Sequence, residues 1–317
     1  MLRIRPLFAA AFVVGLTGAA HAETPRAAII TRGFAHPESV LLGPSLRYVS
    51  SIGAELEPLK KDGDGFISIV DAQGRLVERR AFTGLDAPKG MALIADELYV
   101  ADIDRIVGFD LQTHQRTFVV QMDCEQPCLL NDIAVVDDRL LFSDTLRGRL
   151  YDLDPKTRQV TLLTKDIPGA NGIAWDKARG EAIIVALGSD FAGGHLFTWS
   201  SARGVRQIPN SPFGIFDGVA VLPNGRVLVS DWISFAGRPG AMLDLDPATG
   251  TASAFPLQTS IRGPADFSFD EAGNRLWIPA TLDDAVVILP VPEDYTSAQE
   301  SRLEGRAGLS HTAAVGR

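Results

Sequence analysis

Short apolar stretches alternate with polar turns along this chain, and one pattern returns six times. Each copy leads from a loop into a polar residue, a small residue and an apolar–small–apolar triplet. The copies are Pro37-Glu38-Ser39-Val40-Leu41-Leu42, Pro88-Lys89-Gly90-Met91-Ala92-Leu93, Leu130-Asn131-Asp132-Ile133-Ala134-Val135, Ala170-Asn171-Gly172-Ile173-Ala174-Trp175, Phe216-Asp217-Gly218-Val219-Ala220-Val221 and Pro264-Ala265-Asp266-Phe267-Ser268-Phe269. Their polar places stand 51, 42, 40, 46 and 48 residues apart. A second strand-like run follows each copy, such as Leu98-Tyr99-Val100-Ala101-Asp102 or Val227-Leu228-Val229-Ser230-Asp231. A third alternates apolar and polar residues into a turn, as in Leu150-Tyr151-Asp152-Leu153-Asp154-Pro155. A fourth short stretch closes the unit, most clearly Val160-Thr161-Leu162-Leu163.

Four short strands in each repeat of this length is the pattern of a propeller blade. Long amphipathic helical periods are missing, which removes α/β barrels and doubly wound sheets. The expectation is an all-β, six-bladed β-propeller forming a single domain over 27–294, with inner strands beginning near 38, 89, 131, 171, 217 and 266. Residues Ala27 to Thr31 are placed to give the last blade a strand and close the ring. The polar, Ser/Gly/Arg-rich stretch 295–317 reads as a flexible tail.

The amino terminus reads differently. Arg3 and Arg5 precede an apolar run to Ala20, and Ala20-His21-Ala22 offers small residues for cleavage. Residues 1–22 are therefore expected to be a signal peptide cut after Ala22, sending the protein to the periplasm or outside the cell. Losing the two arginines takes the net charge from −9 to −11. An acidic balance of this kind argues against nucleic acid as a partner, and no later segment is long enough for a membrane span. A monomer is expected. In an oxidising compartment Cys124 and Cys128, the only cysteines, read as a disulfide closing a small loop beside Asn131.

Two local motifs carry little. Asp62-Gly63-Asp64-Gly65 lacks the spacing and the glutamate of a calcium loop and reads as a hairpin turn. His36 reads as a solvated loop histidine.

In a propeller the first strand of each blade lines the central channel, so the polar places of the repeats converge on its mouth. Around the ring they are Glu38, Lys89, Asn131, Asn171, Asp217 and Ala265. Turn chemistry accounts for any one Asn or Asp. It accounts less well for a Glu, two Asn and an Asp in one repeat position. Two carboxylates with two carboxamides form an oxygen set suited to calcium. Without a cation, two buried carboxylates repel and one tends to stay protonated.

The order Glu38, Asn131, Asn171, Asp217 on successive inner strands resembles the senescence-marker-protein/gluconolactonase (regucalcin-like) family, and more distantly diisopropylfluorophosphatase and paraoxonase. The resemblance runs from Phe34 to about Pro290 and is carried by Asn131-Asp132, Ala170-Asn171-Gly172 and Phe216-Asp217-Gly218. It implies one divalent cation, most often calcium, held by Glu38, Asn171 and Asp217, with Asn131 a fourth ligand or a substrate contact. It also implies hydrolysis of a lactone or related ester. Leu129 and Ile133 stand where gluconolactonase-like members carry Arg and Gly, so a charged donor for sugar hydroxyls is missing. In the expected reaction calcium polarises the carbonyl, and Asp217 or Asp266 activates water. Lys89 either holds a substrate carboxylate or pairs with Glu38 or Asp266. The alternative is a non-catalytic secreted propeller with a structural cation, binding a small ligand or a protein partner.

Overall fold

Each of the six repeats folds into a four-stranded antiparallel sheet in a computed structural model that describes residues 27–124, 127–292 and 295. β1 (Ile29–Arg32) opens the described chain but belongs to the last sheet. The first blade is β2 (Pro37–Leu42), β3 (Leu46–Ser51), β4 (Gly65–Asp71) and β5 (Leu76–Leu85), and the second is β6 (Pro88–Ile94), β7 (Glu97–Asp102), β8 (Arg105–Asp110) and β9 (Arg116–Gln121). The third comprises β10 (Leu130–Val136), β11 (Arg139–Asp144), β12 (Arg149–Leu153) and β13 (Val160–Thr164); the fourth β14 (Ala170–Asp176), β15 (Glu181–Ala186), β16 (Leu196–Ser200) and β17 (Gly204–Gln207). The fifth holds β18 (Phe216–Val221), β19 (Val227–Asp231), β20 (Ala241–Leu245) and β21 (Ala252–Phe255). The sixth is β22 (Ser268–Asp270), β23 (Arg275–Ala280), β24 (Ala285–Pro290) and, outermost, β1.

The protein is thus an all-β, six-bladed propeller. β1 pairs antiparallel with β24 from Ile29 opposite Ile288 to Arg32 opposite Ala285, so the two ends of the described chain share one sheet. Among the described residues the helical content is a short 3-10 turn, Thr281–Asp283, and no helix is long and apolar enough to cross a membrane. The proposed signal peptide lies outside the described residues, as does the tail apart from Tyr295.

The core lies between blades rather than within them. Tyr48, Ile67 and Phe82 of the first blade pack with Leu98, Val100 and Phe109 of the second. Tyr99, Ile106 and Phe118 meet Leu130, Leu140 and Phe142 in the same way. Trp277 and Ile288 of the sixth blade meet Val40, Val49 and Val70 of the first. Each second strand is covered on both faces, and its sequence is accordingly a continuous apolar run rather than an alternation. The fourth strands form the outer edge and are half exposed, which is why their pattern is faint.

Five inner strands share an irregularity that shapes the channel. Register slips between Pro37 and Val40, Pro88 and Met91, Leu130 and Ile133, Ala170 and Ile173, and Phe216 and Val219. Each slip spans the polar place and the small residue after it. A bulge there frees two residues from pairing with the second strand and re-aims their side chains. The sixth inner strand differs from expectation, beginning at Ser268 rather than near 266. Asp266 bonds sideways to the first blade instead: its N–H donates to Glu38 O at 2.9 Å, and its carbonyl accepts from Val40 N at 3.2 Å. Opposite, Pro279 on β23 has no N–H to offer.

The small residues after the polar place let neighbouring inner strands approach. A Cβ on Gly172 would stand 2.2 Å from the carbonyl oxygen of Asp217, and one on Gly90 2.5 Å from the Cα of Asp132. Gly172→Ala is therefore expected to force two inner strands apart and cost about 1–3 kcal/mol. Thermal unfolding measures this; an unchanged melting temperature would contradict the close approach.

Candidate functional site

Glu38, Lys89, Asn131, Asn171 and Asp217 line one cavity of about 310 Å³ at the mouth of the channel. All five are buried. Around them stands a second ring, drawn from the residue that follows five of the six second strands: Ile52, Thr145, Leu187, Trp232 and Thr281. Backbone bonds tie this ring to the loops before the inner strands. Ile52 N donates to His36 O, Thr145 N to Leu129 O, Leu187 N to Gly169 O, Trp232 N to Ile215 O and Thr281 N to Gly263 O. Carboxylates at the ends of second strands fix the same loops. Asp102 accepts from Asp86 N and Ala87 N, Asp144 from Leu129 N, and Asp231 from Ile215 N.

Hydrogen bonds orient the polar floor. Asn171 Nδ2 donates to Phe216 O at 3.3 Å, leaving its Oδ1 free of a partner. Trp232 Nε1 donates to Asp217 Oδ2 at 2.6 Å, leaving Oδ1 without one. Glu38 Oε2 and Asn131 Oδ1 are likewise buried with no hydrogen-bond partner. A buried acceptor left unpaired costs roughly 1–3 kcal/mol, more when it is charged. Four such oxygens on four of the six polar places of the ring are a donor set for a hard cation, and the residues present fit calcium. They offer none of the nitrogen or sulfur ligands that zinc sites usually include. Among the described residues no three His, Cys, Asp or Glu side chains cluster as a metal site, and two of the four oxygens here belong to carboxamides.

Electrostatics point the same way. Burial, then the Asp217 charge, holds the Glu38 carboxyl well above the usual carboxylate range. Burial lifts Asp217 to about 7 against the indole hydrogen bond that lowers it. Lys89 is the cationic member of the floor, and burial pushes its ammonium down. It donates to Ala87 O at 2.9 Å and Pro58 O at 3.2 Å, and forms no ion pair with Glu38 or Asp266.

Asp266 does not join this floor. With Asp132 and Ser39 it lines a larger cavity of about 580 Å³ at the far end of the channel, where it accepts from Ser39 Oγ. The separation follows repeat position: Glu38 and Asn131 line the mouth cavity, whereas Ser39 and Asp132, one step later, line the other with Asp266. Asp132 is held by Ile133 N and Ile173 N, and burial lifts it to about 6. Cys124 and Cys128 are joined in a disulfide with Cα atoms 6.1 Å apart, just before Leu129 enters the cavity wall.

The wall residues, Trp232 above all, were not singled out in the sequence. Their signal was available, since Ile52, Thr145, Leu187, Trp232 and Thr281 each stand immediately after a second strand, and two of those strands end in Asp. Phe191 and Phe235 come from long loops with no repeat position to mark them.

No protein-family model and no curated protein matches the sequence. Solved structures do resemble the fold. A protein of unknown function from Bacteroides thetaiotaomicron aligns with a TM-score of 0.60 at 12% identity, over 81% of this chain and 70% of that one. Hydrazine synthase of Kuenenia stuttgartiensis aligns at 0.58 and 15%, over 87% and 80%. A catalytically inactive virginiamycin B lyase from Staphylococcus aureus, solved with quinupristin, aligns at 0.54 and 12%, over 84% and 100%. At such identities the likeness extends to the propeller fold alone, and the resemblance to the gluconolactonase-like family is met at that level.

Proposed function

We propose that the protein is a calcium-dependent hydrolase acting on a lactone or related ester at the mouth cavity. The observation that carries this reading is the set of unpartnered oxygens on Glu38, Asn131, Asn171 and Asp217. When bound there, calcium supplies a Lewis acid for the substrate carbonyl and stabilises the charge that develops on its oxygen. Asp217 lies in this cavity and Asp266 in the other, so water activation falls to Asp217. In that role a lone pair of the Asp217 carboxylate taken neither by the cation nor by the indole N–H accepts the proton as the water oxygen attacks the carbonyl carbon; the acyl C–O bond breaks, and the proton passes to the departing alkoxide. Trp232 holds Oδ2 throughout, so the carboxylate turns neither away nor over. Thr145 and Leu129 are buried and line the same cavity as Asn131.

Calorimetric titration of the mature protein should give one calcium site, and a panel of lactones and aryl esters should be hydrolysed with calcium and not with chelator. Absence of calcium binding would remove both the metal site and the hydrolase. Binding without turnover of any ester would leave a structural cation in a non-catalytic propeller.

A further inference from the structure

The walls of the mouth cavity are of a different character from its floor. Above the oxygens of Glu38, Asn131, Asn171 and Asp217, the sides are formed by Ile52, Leu187, Phe191 and Trp232, and the rim by Leu56 and Phe235. Leu56 is 38% exposed and Phe235 51%, though both line the cavity. Large apolar side chains that border a cavity and lack cover on their outer side are surface that a ligand can bury. Phe191 takes a positive φ of 59°, and the indole of Trp232 lies 5.2 Å from the Phe235 ring. A bulky residue in the left-handed region is a strained choice that the surrounding loop must impose, and such strain gathers at ligand sites. The indole also needs Gly263 behind it, where a Cβ would stand 2.9 Å from the ring.

The charged group of the floor is not offered to a ligand. Lys89 is 2% exposed and spends two of its three N–H groups on the carbonyls of Ala87 and Pro58. An anionic substrate would find no free cationic side chain among these lining residues. A polyhydroxylated one would press hydroxyls against six apolar side chains with no partner for them, and each hydroxyl buried unpaired weakens binding.

From these walls we infer that the substrate is a neutral lactone or ester with an unhydroxylated, hydrophobic acyl or alkyl portion. That portion lies along Leu187, Phe191, Trp232 and Phe235, and the carbonyl reaches the polar floor. This assignment rests on the reading of the cavity as a hydrolase site, and the test separates the two. Trp232 is both wall and hydrogen-bond donor to Asp217, so filling the apolar space also holds the indole on the carboxylate.

The experiment has two arms on the calcium-loaded protein. In the first, γ-lactones with side chains lengthening from methyl to hexyl are compared with glucono-1,5-lactone. Burying a methylene is worth about 0.8 kcal/mol, so kcat/KM should climb about fourfold per carbon until the chain leaves the cavity. Glucono-1,5-lactone should be the poorest member, and Phe235→Ala should flatten the climb. The second arm needs no turnover: hexanamide should quench tryptophan emission at a concentration at least tenfold below gluconamide, and Trp232→Phe should remove the response. A flat series with hydrolysis intact, or gluconamide binding as tightly as hexanamide, overturns the apolar substrate and leaves the hydrolase standing. Hexanamide binding with no lactone turned over leaves the apolar ligand standing and removes the hydrolase.

Discussion

Chelation is expected to lower the melting temperature by roughly 5–10 °C at about pH 8 and by little at about pH 5. The sign follows from the buried carboxyls. In the unfolded chain Asp and Glu titrate near 4, whereas folding holds Asp217 at about 7, Asp132 at about 6, and Glu38 and Asp266 well above their ordinary values. Between those limits the folded protein binds more protons than the unfolded one. Metal-free stability is then full below the unfolded values and is lost as pH rises through the folded ones, at about 1.4 kcal/mol per pH unit for each such proton. A cation against Glu38 Oε2 and Asp217 Oδ1 favours their charged forms and removes their share of this slope. Protons compete for the same oxygens at low pH, so adding or stripping calcium changes little there. At a free concentration of about a hundred times Kd, the linkage is worth about 2.7 kcal/mol, which sets the shift in melting temperature given above. Differential scanning calorimetry across that pH range, with calcium and with chelator, measures it. A chelation effect of equal size at every pH would mean that the cation sits away from these carboxylates.

How much was legible in the sequence depended on where each residue lies in a blade. Inner and second strands are buried on both sides, so their composition is constrained and the six-fold repeat shows plainly. The outer strands, such as β17 with Gly204-Val205-Arg206-Gln207, meet solvent and carry almost no pattern. The floor of the site was readable because a repeat position converts directly into a place on the ring. Asp266 lies apart for a physical reason: it stands one place after its blade's polar position, and successive residues at that point of the repeat line opposite cavities. Lys89 was open in the sequence between substrate contact and ion pair, and its ammonium is instead anchored on two backbone carbonyls. The apolar walls were hidden because Phe191 and Phe235 come from loops, whose side-chain directions depend on tertiary contacts that no local pattern encodes.

Asp217→Asn is expected to reduce kcat/KM by about 10³-fold or more, the largest loss of any single change at the mouth. Two effects combine. The substitution deletes one of the two charges offered to the cation, so calcium affinity falls further than for Asn131→Ala, which removes a neutral oxygen. It also removes the base, because a carboxamide does not accept the proton of the attacking water at neutral pH. Geometry changes little: the carboxamide oxygen can still accept from Trp232 Nε1, and the side chain keeps its length. Stability moves the opposite way in the metal-free protein. A buried carboxyl whose titration stands at about 7 is replaced by a neutral group, so at about pH 8 the variant should melt above the metal-free parent. Asp266→Asn is the matched control, since it removes another buried carboxyl of raised pKa, one that lines the far cavity and meets Glu38 and Asp217 only through its charge. Steady-state rates for Asp217→Asn at calcium well above its own Kd separate the two roles. Recovery of the parent rate there would leave Asp217 a ligand alone and require another base; a deficit that persists at saturation assigns the proton transfer to Asp217.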